Sequence, residues 1–119
     1  MKNLIYCPAE RAVYFLGGKW KIRILFSFLY NKKIRFGELK KGLKTITQQM
    51  LSKQLKELER DGIINRKVIQ IMPPKVEYSL TEFGLSVMPI LRSFSEWNKK
   101  NTRTISVKLN KNFEENRIT

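Results

Sequence analysis

The hydrophobic positions in the middle of the chain repeat at helical spacing. Leu51, Leu55 and Leu58 fall on one narrow stripe of a helical wheel, and polar side chains occupy the opposite side. Thr47 precedes this run and can accept a hydrogen bond from an unpaired backbone N–H group. Gly62 follows it, at a position where a left-handed residue commonly ends a helix. The pattern therefore predicts a well-bounded amphipathic helix between these two residues.

Three further helices are predicted on the N-terminal side. After an irregular lead-in over residues 1–7, the first begins at Pro8 and stops at Gly17-Gly18. The second runs over residues 19–30, and the third is short and ends near Gly42. The cations of the second helix that we expect to face water are Lys19, Lys21 and Arg23.

Beyond the central helix the pattern changes to that of a β-hairpin. Apolar and polar residues alternate over residues 75–80, as in a half-buried strand, and residues 64–71 form a partner strand. Met72-Pro73-Pro74 separates the two runs as a turn. A short helix, a compact turn, a longer amphipathic helix and a hairpin predict an α+β, mainly helical fold, which is a winged helix-turn-helix with a two-stranded β wing.

Helical spacing returns after the hairpin. Thr81 can cap a helix that extends to Trp97, and Pro89 within it is predicted to kink that helix near its middle. Apolar residues also lie off the main stripe, and such excess apolar surface on a terminal helix predicts a subunit interface. We assign residues 1–101 to the winged-helix domain and residues 102–119 to a polar C-terminal tail. The residues predicted for the interface are Leu85, Met88, Leu91, Phe94 and Trp97.

The net charge narrows the choice of partner. The 119 residues include 24 Lys and Arg against 10 Asp and Glu, a formal net charge of +14, which favours a polyanion as the partner.

The sequence has no His and one Cys, so it can assemble neither a zinc site nor a Ser-His or Cys-His catalytic pair. We therefore expect that the protein is not an enzyme and that it binds neither a metal nor a cofactor. No apolar run suits a membrane span or a secretory signal, which predicts a cytoplasmic protein without a membrane partner.

The outward face of the central helix carries candidate DNA-binding side chains. Glutamine amides can bridge N6 and N7 of adenine, and long cations suit guanine edges or phosphates. The first turns of such a helix reach deepest into the major groove. The alternative is the solvated charged face of an ordinary amphipathic helix. The predicted base-reading residues are Gln48, Gln49, Ser52 and Lys53, and the predicted DNA-backbone ligands are Lys33, Arg35, Lys40, Lys44, Thr47, Lys56, Arg66, Lys67 and Lys75.

The cations of the hairpin allow two interpretations. Arg66, Lys67 and Lys75 can contact phosphates or the minor groove beside the reading helix. Such contacts add affinity and salt dependence without sequence information. Alternatively, these charges only solvate the hairpin and keep its edge from aggregating.

Three stretches of the chain are together similar to a known family in their order and spacing. They are CPAERAVYFLGGKWKIRIL (7–25), RFGELKKGLKTITQQMLSKQLKELERDGII (35–64) and PPKVEYSLTEFG (73–84). They resemble the HxlR family of bacterial winged-helix transcriptional regulators. The resemblance implies a homodimer, built largely from extra N- and C-terminal dimerisation helices, that binds operator DNA and represses or activates nearby genes. With twofold symmetry, two reading helices enter successive major grooves about 34 Å apart, so the operator is expected to be a pseudo-palindrome.

Cys7 is the candidate signal input. A helix N-terminus and nearby cations favour the thiolate, and Cys7 precedes the first predicted helix with Arg11 one turn on. The resemblance points the same way, since some family members sense oxidants or electrophiles through a cysteine at this place. A small oxidant or electrophile is then an expected partner. Alternatively, Cys7 is an inert cap residue that serves packing.

These observations predict a sequence-specific, DNA-binding transcriptional regulator that acts as a homodimer on double-stranded DNA. One alternative is a nonspecific, architectural nucleic-acid-binding protein, which would show no operator preference. Another is a winged helix that binds only proteins. That protein would bind no DNA even at low salt, and the charge of +14 argues against it.

Overall fold

The computed structural model describes residues 7–118, with side chains as far as Phe113, and the chain divides into two compact units. The boundary between the units falls between Met88 and Pro89. Of the irregular lead-in predicted for residues 1–7, residues 1–6 lie outside the described residues. Within the described range, no helix is both long enough and apolar enough to cross a membrane.

The order of elements is that of a winged helix-turn-helix. Helices α3 and α4 form the helix-turn-helix, and strands β2 and β3 form the wing, which confirms the predicted fold class. The elements are α1 (Pro8–Leu16), α2 (Lys19–Ser27), β1 (Lys33–Arg35), α3 (Phe36–Leu43), α4 (Gln48–Arg60), β2 (Ile64–Gln70), β3 (Lys75–Leu80), α5 (Glu82–Leu85), α6 (Met88–Lys100) and α7 (Thr102–Ile118).

Helix α4 begins and turns as its sequence predicts. The Thr47 Oγ1 atom accepts a hydrogen bond of 3.1 Å from the backbone N–H of Met50. Leu51, Leu55 and Leu58 are each at most 1% exposed, so the predicted apolar stripe faces the core. Because that stripe is buried, the rotation of α4 about its own axis is fixed.

The C-terminal end of α4 is closed by a paired hydrogen-bond turn. Gly62 has a φ of +74°, in the left-handed region that favours glycine. Its N–H donates to the Glu59 carbonyl at 3.0 Å, and the Ile63 N–H donates to the Leu58 carbonyl at 2.9 Å. Ile63 and Leu58 are both fully buried. The predicted role of Gly62 is confirmed, and the turn sends the chain directly into the wing.

The wing belongs to a three-stranded antiparallel sheet with the order β1-β3-β2. The sequence predicted only two of these strands. Strand β1 has three residues, and its central Ile34 is buried and pairs with Tyr78 of β3. On the other side of β3, Arg66 pairs with Tyr78 and Lys67 pairs with Glu77.

The expectation that Lys21 faces water is wrong. Lys21 is 8% exposed, and its Nζ atom lies 3.4 Å from Glu57 Oε1 on α4. A buried ammonium requires a charged partner, and Glu57 supplies it. Lys19 and Arg23 are exposed as expected, and their cationic groups lie 4.8 and 4.7 Å from the centroid of the Trp20 ring.

Pro89 does not kink one long helix, as the sequence predicted. Helix α5 ends at Leu85, and α6 begins at Met88, so Pro89 lies in the first turn of a new helix. Proline is tolerated there because the backbone N–H groups of a first turn have no intrahelical acceptor. The predicted tail is likewise helical, since α7 spans Thr102–Ile118.

Helix α6 carries two apolar faces with different environments. Met88 and Leu91, both predicted for the dimer interface, are 4% and 0% exposed in the single chain. A second subunit cannot contact side chains with so little free surface, so these two residues belong to the core. Of the other predicted interface residues, Leu85 is 56%, Phe94 53% and Trp97 63% exposed. Ile90, which was not singled out, is 44% exposed on the same helical stripe as Phe94 and Trp97.

The Ile63 carbonyl joins the end of α4 to the start of α5. It accepts the backbone N–H of Thr81 at 3.0 Å. Thr81 Oγ1 in turn accepts the N–H of Gly84 at 3.0 Å, as the predicted cap of this helix. Gly84 is buried, and a Cβ atom added there would collide with the Ile63 carbonyl oxygen.

We predict that Gly84→Ala destabilises the protein by about 1–3 kcal/mol, because the backbone at Ile63 must shift to admit the methyl group. Gly42→Ala is the matched control. A Cβ at Gly42 meets nothing within 4 Å, so alanine should leave stability unchanged or raise it by up to about 1 kcal/mol. Urea unfolding of both variants measures the difference, and equal stabilities would contradict the close approach at Gly84.

Candidate nucleic-acid interface

The outward face of α4 is a polar, cationic surface. Gln48, Gln49, Lys53 and Lys56 are exposed, and Ser52 is half-buried one turn along. All five line one concave surface together with Glu57 and Arg60. The structure therefore brings all four predicted base-reading residues onto the same side of the helix.

A groove of about 430 Å³ lies between α4 and the wing. Its α4 wall includes the predicted base readers Gln48 and Ser52 and the predicted backbone ligand Lys56. Arg66 of β2, another predicted backbone ligand, lines the wing side. Residues from separate elements thus place amide, hydroxyl and cationic groups around one groove. The remaining lining residues are Phe36, Glu59, Val76 and Tyr78.

Tyr78 gives this groove a neutral polar group. Tyr78 is 6% exposed, and Arg66 lies opposite it in the β2–β3 ladder. Burial raises the pKa of Tyr78, and the nearby guanidinium of Arg66 only partly opposes the rise. The phenol therefore keeps its proton at neutral pH, and the positive charge of Arg66 is not cancelled by it.

A second groove separates α3 from the tip of the wing. It is lined by two predicted backbone ligands, Arg35 at the start of α3 and Lys75 at the start of β3. The Glu38 carboxylate also lines it, and it accepts the Arg35 backbone N–H at 2.9 Å. Lys41 lines the same groove and was missed by the sequence reasoning, which selected Lys40.

A helical wheel of α3 would have predicted that Lys41 faces solvent. Leu39 and Leu43 are buried, and Lys41 lies almost opposite Leu39 on α3. Lys41 is exposed, whereas Lys40 is half-buried. Arg60, at the end of α4, lies on the outward face where the helical wheel puts it, but it was not among the predicted backbone ligands. It lines the concave surface of α4, and its Nε atom lies 3.2 Å from Asp61 Oδ1, so part of its charge is compensated.

The other predicted backbone ligands lie outside these two grooves. Lys33 and Lys67 are exposed on either side of Glu77, and Lys33 Nζ lies 3.9 Å from Glu77 Oε1. Lys44 follows α3 with a φ of +60°. Thr47 is exposed, and its hydroxyl oxygen is already engaged as the cap of α4.

Cys7 occupies the position immediately before α1. It is half-buried, and its backbone carbonyl accepts the N–H of Arg11 at 3.0 Å. Its side chain makes no capping hydrogen bond. The thiol is thus not committed to holding the helix, and part of the residue is accessible to solvent.

Comparison with known proteins places this architecture in a family. Residues 15–106 match the model of the HxlR-like helix-turn-helix family. The HTH-type transcriptional regulator YdeP of Bacillus subtilis is 49% identical over 94 residues, which are 79% of this chain and 73% of YdeP. An HTH-type transcriptional regulator of Methanothermobacter thermautotrophicus is 50% identical over 93 residues, which are 78% of this chain and 70% of that protein.

Solved structures of transcriptional regulators are also similar to this chain. The redox regulator HypR in its reduced form superposes with a TM-score of 0.79 at 42% identity, covering 85% of this chain and 99% of HypR. The reduced form of the transcriptional regulator YodB from B. subtilis gives a TM-score of 0.65 at 31% identity, covering 82% of this chain and 96% of YodB.

Proposed function

The chain belongs to the HxlR-like helix-turn-helix family of DNA-binding transcriptional regulators, and we propose that it reads a pseudo-palindromic operator as a homodimer. The observation that carries the proposal is the outward face of α4. That face presents two exposed glutamines and two exposed lysines, and its wall toward the wing shares a groove with Arg66. A chain with a net charge of +14 has the long-range attraction to DNA that such a reading helix requires.

The first turns of α4 read bases in this proposal. Gln48, Gln49, Ser52 and Lys53 contact base edges in the major groove, where glutamine pairs with adenine and lysine with guanine. The cations around them bind phosphates and set the register without selecting the sequence. These backbone ligands are Lys33, Arg35, Lys40, Lys41, Lys44, Lys56, Arg66, Lys67 and Lys75, with Thr47 beside them.

Two variants separate base reading from phosphate binding. Gln49→Ala should change which base is preferred at one operator position, because about 1–3 kcal/mol of discrimination rests on a good amide contact. Lys67→Ala should weaken binding to all duplexes similarly and lower the slope of log affinity against log salt by about 1. Titrations of operator and scrambled duplexes at several salt concentrations measure both effects. Equal losses of specificity in the two variants would contradict the assignment.

The exposed stripe of α6 supports the homodimer. Ile90, Phe94 and Trp97 recur at helical spacing and leave 44 to 63% of their surfaces free in the single chain. Large apolar side chains aligned in this way are typical of a protein–protein interface. A symmetric dimer formed there provides two copies of α4, and two reading helices require an inverted repeat.

We predict that Phe94→Glu produces a monomer, because a carboxylate at the interface would be buried without a partner. Arg92→Glu is the control, since Arg92 is exposed and lies on the opposite side of α6. Sedimentation equilibrium at micromolar protein should show a monomer for Phe94→Glu and a dimer for both Arg92→Glu and the unmodified sequence. A dimeric Phe94→Glu would place the interface elsewhere.

We also propose that Cys7 senses oxidants or electrophiles. The support is a partly accessible thiol before a helix, whose side chain does not cap that helix, in a chain similar to redox regulators. HypR has been solved in reduced and oxidised forms, and YodB in reduced and diamide-treated forms. An adduct on Cys7, or a disulfide between the Cys7 residues of two subunits, changes the start of α1 and with it the spacing of the two reading helices.

Alkylation of Cys7 with iodoacetamide should lower operator affinity about tenfold, the size of a typical allosteric coupling. Cys7→Ser is the control. Serine is a good helix cap that cannot be alkylated, so this variant should bind the operator normally with or without the reagent. Complete modification by mass spectrometry with unchanged operator affinity would show that the thiol is only a cap.

A further inference from the structure

The tip of the wing exposes two large apolar side chains side by side. Ile71 is 79% exposed and Met72 is 84% exposed, in the turn between β2 and β3. Tight turns usually carry small or polar residues, so this pair is out of keeping with a merely solvated tip. Two further apolar residues, Val68 and Ile69 of β2, are 48% and 39% exposed.

The apolar tip is held in a defined shape. The Gln70 side-chain amide donates a hydrogen bond of 3.1 Å to the Met72 carbonyl, across the base of the turn. Pro73 and Pro74 restrict the backbone that follows. A tip that is already ordered loses little conformational entropy when it inserts into a partner.

The charges around the tip favour a polyanion as that partner. Lys67 and Lys75 belong to the same hairpin, and Arg35 and Lys41 line the groove that reaches Pro74. The hairpin's single acidic residue, Glu77, is already flanked by Lys33 and Lys67. A hydrophobic protein surface does not need this ring of cations, whereas duplex DNA offers phosphates on both sides of an apolar stack of bases.

We propose that Ile71 and Met72 form an apolar wedge that enters the minor groove beside the α4 site and partly unstacks one base step. The inference rests on the proposed function, because it assigns a second point of contact on the same DNA. Apolar wedges of this kind kink the duplex, and flexible TA and CA/TG steps deform most easily. The wing then selects sequence by deformability at a position that α4 does not touch.

An apolar wedge and a phosphate contact differ in their response to salt. A lysine on a phosphate releases counterions, so its loss lowers the slope of log affinity against log salt. An apolar wedge releases no counterions. Its loss therefore lowers affinity at every salt concentration and leaves that slope unchanged.

The experiment compares the double variant Ile71→Ser/Met72→Ser with the unmodified protein on duplexes that carry the sequence which the unmodified protein enriches from random DNA. Both residues are exposed, so the double variant should fold normally, which its thermal unfolding checks. Val107→Ser is the matched control, because Val107 is 60% exposed on α7, away from the wing in sequence. Lys67→Ala is the phosphate control on the same hairpin. Binding is titrated at four salt concentrations, and the DNA bend is measured by energy transfer between fluorophores at the duplex ends.

The wedge predicts that the double variant loses about tenfold in affinity with an unchanged salt slope, and that it loses most of the bend. Replacing a flanking TA or CA step by a stiff A-tract should lower the affinity of the unmodified protein for the duplex. The same replacement should leave the affinity of the double variant almost unchanged. Val107→Ser should behave as the unmodified protein.

Two results would overturn the wedge, and a third would contradict only the proposed operator reading. Unchanged affinity and bend in the double variant would mean that the tip does not enter DNA and serves another partner, such as a protein. A reduced salt slope would mean that the tip only positions cations. If the unmodified protein binds operator and scrambled duplexes equally well but bends those with a TA or CA step more than those with an A-tract, and the double variant loses this bend, the wedge stands and the proposed operator reading fails. The two proposals can therefore be contradicted separately.

Discussion

Burial of one face of α4 determines which side chains the opposite face of that helix presents to a partner. Leu51, Leu55 and Leu58 are almost completely excluded from solvent, and rotating the helix would expose them. Each buried leucine is worth about 1.5–3 kcal/mol, so this orientation is strongly preferred. Packing of the apolar face against the core is therefore enough to expose the glutamines and lysines of the opposite face, independently of any ligand. The Lys21–Glu57 pair adds a second attachment, from α2 to the same helix.

The position of the wing relative to α4 depends on a few backbone hydrogen bonds at Ile63. Its N–H closes the end of α4, and its carbonyl accepts from Thr81 at the start of α5. Gly62 supplies the left-handed backbone that this arrangement requires, and Gly84 leaves room for the Ile63 carbonyl. Reading helix and wing therefore diverge from one ordered junction. An ordered junction of this kind is what the proposed contact of helix and wing with two neighbouring grooves of DNA would require.

The features that the sequence predicted are those set by local chemistry. The caps and apolar period of α4 lie within sixteen residues, and the alternation of β3 is visible without its partners. Strand β1 was missed because three residues carry no period. The burial of Lys21 depends on Glu57, 36 positions away. The apolar spacing of α6 did not reveal which of its side chains are buried, so Met88 and Leu91 were assigned to an interface and Ile90 was left out of it.

Selection of bound fragments from random duplex DNA by the purified, reduced protein tests the central claim most directly. The account predicts an enriched inverted repeat whose half-sites lie about one helical turn apart, because two α4 helices read them from one dimer. The selected half-sites should contain adenine or guanine where the glutamines and lysine of the first turns reach. Uniform recovery of all sequences, with binding that only fades as salt rises, would contradict the account and leave a nonspecific basic protein.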